Sequence, residues 1–126
     1  EYELSPEVKG RMRSIQMAMA RQRMLQEVPK ADVVLANPTH VAVALRYDSS
    51  TMESPTVVAK GPDLLAQQIR TIAEEHGVPV VRRPELARAI YRTVDVGQPI
   101  PEALFVAVAE VLAMVYRLRK KRRTNS

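Results

Sequence analysis

The run Val33-Val-Leu-Ala-Asn-Pro-Thr-His-Val-Ala-Val-Ala-Leu45 constrains this chain more than any other stretch. Two apolar segments with strand-forming composition are split by four residues that no central strand would accept. Proline has no N–H to give a ladder and is confined to strand edges, starts and bulges. The segment therefore predicts two strands, Val33–Ala36 and Val41–Tyr47, joined by a tight turn. Asparagine suits the first position of a β-turn and proline the second. That arrangement makes His40 the fourth turn residue, within about 7 Å of Asn37.

Around this pair the chain alternates strand and helix signals. Ser5-Pro6-Glu7 opens a helix, with serine as cap and proline at the first helical position. Its Val8, Met12, Ile15 and Met19 recur at helical spacing, and Gly10 weakens it, so Glu1–Glu27 reads as a connecting arm. Thr56–Ala59 is a third short strand. Lys60-Gly61-Pro62-Asp63 then opens a helix with Pro62 at its first position. Leu65, Ile69, Ile72 and Ala73 form its inner face, and Gly77 stops it. Val78–Val81 gives a fourth strand, and strand–helix–strand at this spacing predicts a parallel βαβ unit. Pro84 starts a short helix with Leu86, Ala87, Ile90 and Tyr91 inward, and Pro99 and Pro101 introduce a long last one. The expected fold is α/β: a small mixed sheet of about four strands surrounded by about four helices, with an N-terminal helical linker. With 126 residues and 46% hydrophobic content, one domain with a modest core is expected.

Composition removes several chemistries. With no cysteine, disulfides and thiolate catalysis are out, which fits a reducing compartment. Two histidines, His40 and His76, are too few for a zinc site of ordinary ligand type, so no metal is expected. His76 beside Gly77 reads as a helix-end residue. Gly61 stands outside any phosphate-cradling glycine pattern, so Lys60-Gly61-Pro62 reads as a helix entry. Glu74 and Glu75 are neighbours on a helix and diverge, so they make no acid–base pair. No signal peptide opens the sequence, and no run of 18 apolar residues is present. Leu104–Leu118 comes nearest, but it is too short and reads as a buried core helix.

The net charge of +5 is concentrated at one end. Arg117, Arg119, Lys120, Lys121, Arg122 and Arg123 supply six of the 19 basic residues, leaving 13 against 14 acidic ones in the body. The basic tail leaves a nucleic-acid or membrane-surface binding module as an alternative function, and a near-neutral body without an aromatic platform makes it the weaker one, so no nucleic-acid partner is expected. Two readings of the tail stay open: a solvated helix end favoured by the dipole, or contact with an anionic membrane or partner.

The tetrad Asn37-Pro38-Thr39-His40 carries a chemistry of its own. Asparagine ordinarily ages when the next backbone nitrogen attacks its side-chain carbonyl, and proline's substituted nitrogen closes that route. The reverse remains open. The Asn37 side-chain nitrogen attacks its own backbone carbonyl, closes a succinimide and expels Pro38 as an amine. A turn that presents nucleophile to carbonyl would favour it. His40, whose imidazole can both take and give a proton, could move the protons, and Thr39 or the turn amides could stabilise the oxyanion.

These residues carry a resemblance. "NPTH" between two apolar strands, with "VALRYD", "VVAKG", "GVPVV", "LARAIYR" and "VGQPIPEALFVAVAEVLAMVY", resembles the cytoplasmic domain of the FlhB/HrpN/YscU/SpaS family of bacterial type III export components. The similarity runs from Lys30 through Tyr116, extends upstream to "VPKADVV" and "PEVKGRMR", and is nearest the flagellar branch, with an injectisome homologue as the alternative. The resemblance implies that Glu1–Glu27 links to an N-terminal membrane portion and that residues 28–126 form a domain on the cytoplasmic face of the inner membrane. It implies a single self-cleavage between Asn37 and Pro38, without cofactors or turnover, after which the two fragments stay together. It further implies a switch of export specificity from rod and hook to filament subunits, with other export-gate components, export substrates and a hook-length control protein as partners. A shallow apolar patch for export signals would map onto Pro55, Ala109 and Leu112. Ser54 departs there, being more polar than the small apolar residue expected.

Overall fold

The computed structural model describes residues 3–124, with side chains described through Lys121. Helix α1 (Pro6–Leu25) is capped by Ser5, whose hydroxyl accepts the Val8 N–H at 3.2 Å, and it runs through Gly10 unbroken. None of its residues is buried. Only its last turn, Met24 and Leu25, packs on the body. The buried chain begins at Val28, inside the short 3-10 turn Val28–Lys30.

Four strands follow: β1 (Val33–Asn37), β2 (Val41–Arg46), β3 (Thr56–Pro62) and β4 (Val80–Arg82). Helix α2 (Asp63–Glu75) separates β3 from β4. Helix α3 (Pro84–Thr93), the 3-10 turn Glu102–Leu104 and helix α4 (Phe105–Thr124) complete the chain. The sheet order is β3-β2-β1-β4, antiparallel except for the parallel β1–β4 pair. It is a mixed four-stranded sheet with helices on both faces.

The two faces explain the composition of the central strands. Val33, Leu35, Val41, Val43, Leu45 and Val57 point to one side, onto Ala87 and Ile90 of α3 and Val108, Val111, Leu112 and Val115 of α4. Val34, Ala42, Ala44 and Ala59 point to the other, onto Ala66, Ile69 and Ala73 of α2. Strand β1 is buried along its whole length, so it shows no polar alternation. Alanines line the α2 side, where a helix crosses close to the sheet.

The structure departs from the sequence expectations in four places. Strands β3 and β4 run parallel, as a βαβ unit requires, but they are not neighbours: β4 pairs with β1, and the α2 crossover spans two strands. Val34 of β1 and Ala42 and Ala44 of β2 pack under α2 along that path, which no local pattern encodes. Strand β3 continues to Pro62, which flanks α2 rather than opening it, and Asp63 is the first helical residue. Strand β4 is Val80–Arg82, because Val78 is tied by its N–H to Ala73 at the end of α2. Helix α4 buries one stripe only, leaving Phe105, Val106, Tyr116 and Leu118 exposed. Gly77 does stop α2, at φ 71°, and His76 Nδ1 lies 2.9 Å from the Ile72 carbonyl at that helix end.

Candidate functional site

Asn37, Pro38, Thr39 and His40 form the tight turn between β1 and β2. The His40 N–H donates to the Asn37 carbonyl at 2.9 Å, which closes the four-residue turn. Proline fixes a negative φ at the second position, and Thr39 at the third has φ 69°. That combination is a type II turn, whose third position ordinarily needs glycine or asparagine. A β-branched residue there is strained.

Asn37 is the last residue of β1, in register with Val41, and is 7% exposed. Pro38 is half-buried, while Thr39 and His40 are exposed. Among the described residues no side-chain hydrogen bond engages Asn37 or His40, so amide and imidazole are both uncommitted. The main chain around them is held tightly. Ala36 C=O accepts the Arg83 N–H at 3.1 Å from the start of α3, and His40 C=O accepts the Asp63 N–H at 2.9 Å from the start of α2. The turn thus sits where the openings of two helices meet the end of β1.

The second set of sequence-predicted residues also converges. Pro55, Ala109 and Leu112 line one shallow cavity of about 320 Å³, with Ser54 on its wall. Ala109 is exposed and Leu112 is buried, so the cavity lies over the edge of the core. Tyr47, Glu53, Phe105, Ala113 and Tyr116 complete the lining and were not anticipated from sequence. A signal was present: Phe105, Ala109, Leu112 and Tyr116 recur at helical spacing on one stripe of α4. Burial, and next the charge of Asp32, raise the Tyr116 hydroxyl above its usual range.

The basic end of the chain extends α4 beyond the sheet. Arg117, Arg119, Lys120 and Lys121 are exposed, and the side chains of Arg122 and Arg123 lie outside the described residues. Arg119 reaches back to Asp32, with Nη1 4.0 Å from the carboxylate and Nη2 donating to the main-chain carbonyl at 3.5 Å. Among the described residues no helix is long and apolar enough to cross a membrane, and no group of three or more acidic or histidine side chains is placed to hold a metal.

Comparison with known proteins places these features. The model of the FlhB HrpN YscU SpaS family matches residues 1–115. The flagellar biosynthetic proteins FlhB of Salmonella typhimurium and Escherichia coli are 53% and 54% identical, each over 97% of this chain. This chain spans about a third of their length, 32% in both cases. The crystal structure of the cytoplasmic domain of FlhB from Shewanella putrefaciens superposes with a TM-score of 0.79 at 48% identity, covering 82% of this chain and 80% of that one. A crystal structure of the EscU C-terminal domain superposes at 0.71 with 33% identity, covering 73% of this chain and 92% of that one. With the motif, the fold and these relatives in agreement, the chain belongs to the FlhB HrpN YscU SpaS family.

Proposed function

We propose that this domain serves at the cytoplasmic face of a flagellar type III export apparatus and that it cuts its own chain once, between Asn37 and Pro38. Membership of a family of export components and identities above 50% to two flagellar relatives support the setting. The observation that carries the cleavage is the His40 N–H placed 2.9 Å from the Asn37 carbonyl oxygen, inside a turn strained at Thr39.

The chemistry follows from that geometry. Asn37 Nδ2 attacks the Asn37 carbonyl carbon, and the negative charge that develops on its oxygen already faces the His40 amide donor. The C–N bond to Pro38 breaks, its electron pair stays on the proline nitrogen, and that nitrogen takes a proton. His40, exposed beside the turn, shuttles the proton from the attacking amide to the leaving nitrogen. The product is a C-terminal succinimide, which water opens to leave one carboxylate, and a new N-terminus at Pro38. Breaking the bond frees Thr39 from its left-handed conformation, which favours the products.

The pieces stay assembled because the cut lies at the end of a strand rather than within one. Strand β1 keeps its five pairs to β2 and three to β4, and Val33, Val34 and Leu35 remain in the core. In this reading the cleaved, still assembled domain permits the change from rod and hook to filament subunits, and the cavity at Pro55, Ala109 and Leu112 receives export signals. Under denaturing electrophoresis the protein should run as residues 1–37 and 38–126, and Asn37→Ala as one band. A wild-type chain that stays whole through long incubation contradicts the proposal.

A further inference from the structure

Among the described residues only two non-glycine positions take positive φ, Thr39 at 69° and Asp63 at 46°. They lie 24 positions apart in sequence yet meet at one residue. Thr39 precedes His40 in the chain, and the Asp63 N–H donates to the His40 carbonyl at 2.9 Å. The His40 N–H in turn donates to Asn37. Such conformations are disfavoured for L-residues and persist only where the surroundings hold them.

The surroundings of Asp63 are specific. Strand β3 passes into α2 with no loop: Pro62 pairs with Val41 and Asp63 is already helical. A Cβ at Gly61 would run into the Leu65 side chain, so only glycine lets the first turn of α2 fold back over the strand end. Helix α2 has no side-chain cap, and the Asp63 amide finds its acceptor across the sheet at His40.

We propose that Asp63 is a positioning residue for the cleaving turn. Its main-chain N–H, presented by the strained β3–α2 junction, holds the His40 carbonyl and thereby keeps the His40 N–H on the carbonyl that Asn37 attacks. This assignment rests on the cleavage reading above. His40 is clamped at both main-chain polar groups while its imidazole stays free to carry protons. The role asks only for a residue that tolerates the left-handed region, which aspartate, asparagine and glycine do and β-branched residues do not.

The test follows fragment appearance in freshly folded protein, with the melting temperature measured alongside. Asp63→Asn and Asp63→Gly should cleave at the wild-type rate. Asp63→Val should be slower by on the order of tenfold or more, since small misplacement of reacting groups carries penalties of that size. A semisynthetic chain with an ester in place of the Pro62–Asp63 peptide bond deletes the N–H and keeps every side chain. It should fold and slow by a similar factor. Ile69→Val, which loosens α2 from beneath, should lower the melting temperature and leave the rate alone. An ester chain that cleaves as fast as wild type overturns the assignment while leaving the cleavage reading intact. Slowing by Ile69→Val as large as that by Asp63→Val overturns it too, since the effect would then be general stability. A wild type that never cleaves overturns both.

Discussion

The N–H of His40 points at the carbonyl oxygen of Asn37 across 2.9 Å, and the proposed cleavage turns on this contact. Any residue except proline supplies that N–H, so alanine at position 40 deletes the imidazole and keeps the oxyanion donor. Cleavage of His40→Ala should slow by roughly 100-fold, the lower end of what a positioned acid–base group contributes. Because the side chain is exposed, stability should change by less than about 0.5 kcal/mol. Timed electrophoresis of freshly folded protein measures the first, and urea unfolding the second.

The left-handed Thr39 stores strain in the uncut chain. Residues held in such regions cost on the order of 1–3 kcal/mol. In an Asn37→Ala background, which removes cleavage from the measurement, Thr39→Gly should raise stability by about 1 kcal/mol in chemical denaturation, glycine's greater unfolded-state freedom offsetting part of the relief. A loss of stability would mean that the turn is not strained at this position.

If the chain cuts as proposed, retention of the N-terminal piece depends on β1. Leu35 is fully buried in that strand, and leucine-to-alanine changes in cores cost about 2–5 kcal/mol. In the proposed cut state that loss falls on a non-covalent assembly. Leu35→Ala should therefore release residues 1–37 at lower urea than wild type does, seen by size-exclusion chromatography. Val8→Ala, on the exposed part of α1, should release them at the wild-type concentration.

The loop after β2 has its own pH dependence. The Ser50 hydroxyl donates to the Asp48 carboxylate at 2.6 Å and the Ser50 amide at 3.0 Å, and these bonds hold the carboxyl below its usual range. A folded-state value below the unfolded one contributes stability above the unfolded value, which is lost as pH falls through the folded one. Ser50→Ala should raise the Asp48 titration midpoint seen by carboxyl NMR. The stability gap to wild type should be present at neutral pH and close in acid.

What the sequence disclosed, and what it withheld, divides along physical lines. The turn at Asn37–His40 was legible because its signal is local: proline removes a donor and fixes φ within four residues. The two buried strands were legible from apolar content as Val33–Ala36 and Val41–Tyr47, one residue off at each C-terminal end from Val33–Asn37 and Val41–Arg46, and Ala42 and Ala44 proved to face α2. The pairing of β4 with β1 was not legible, since a crossover's landing strand is chosen by packing between distant segments. The φ of Asp63 was hidden for the same reason: Gly-Pro-Asp reads locally as an ordinary helix entry, and only the His40 carbonyl across the sheet gives it another meaning. Pro55, Ala109 and Leu112 came from the resemblance, and the fold gathers them around one cavity with Tyr47, Phe105 and Tyr116.

Intact-mass measurement of the purified wild-type chain, under native and denaturing conditions, decides whether the chain cuts itself between Asn37 and Pro38. Self-cleavage predicts one assembled species under native conditions that is heavier than the uncut chain by one water, or equal to it while the succinimide persists. Under denaturing conditions it predicts two species, ending at Asn37 and beginning at Pro38. A single species with the mass of the whole chain in both conditions, after prolonged incubation, would contradict it.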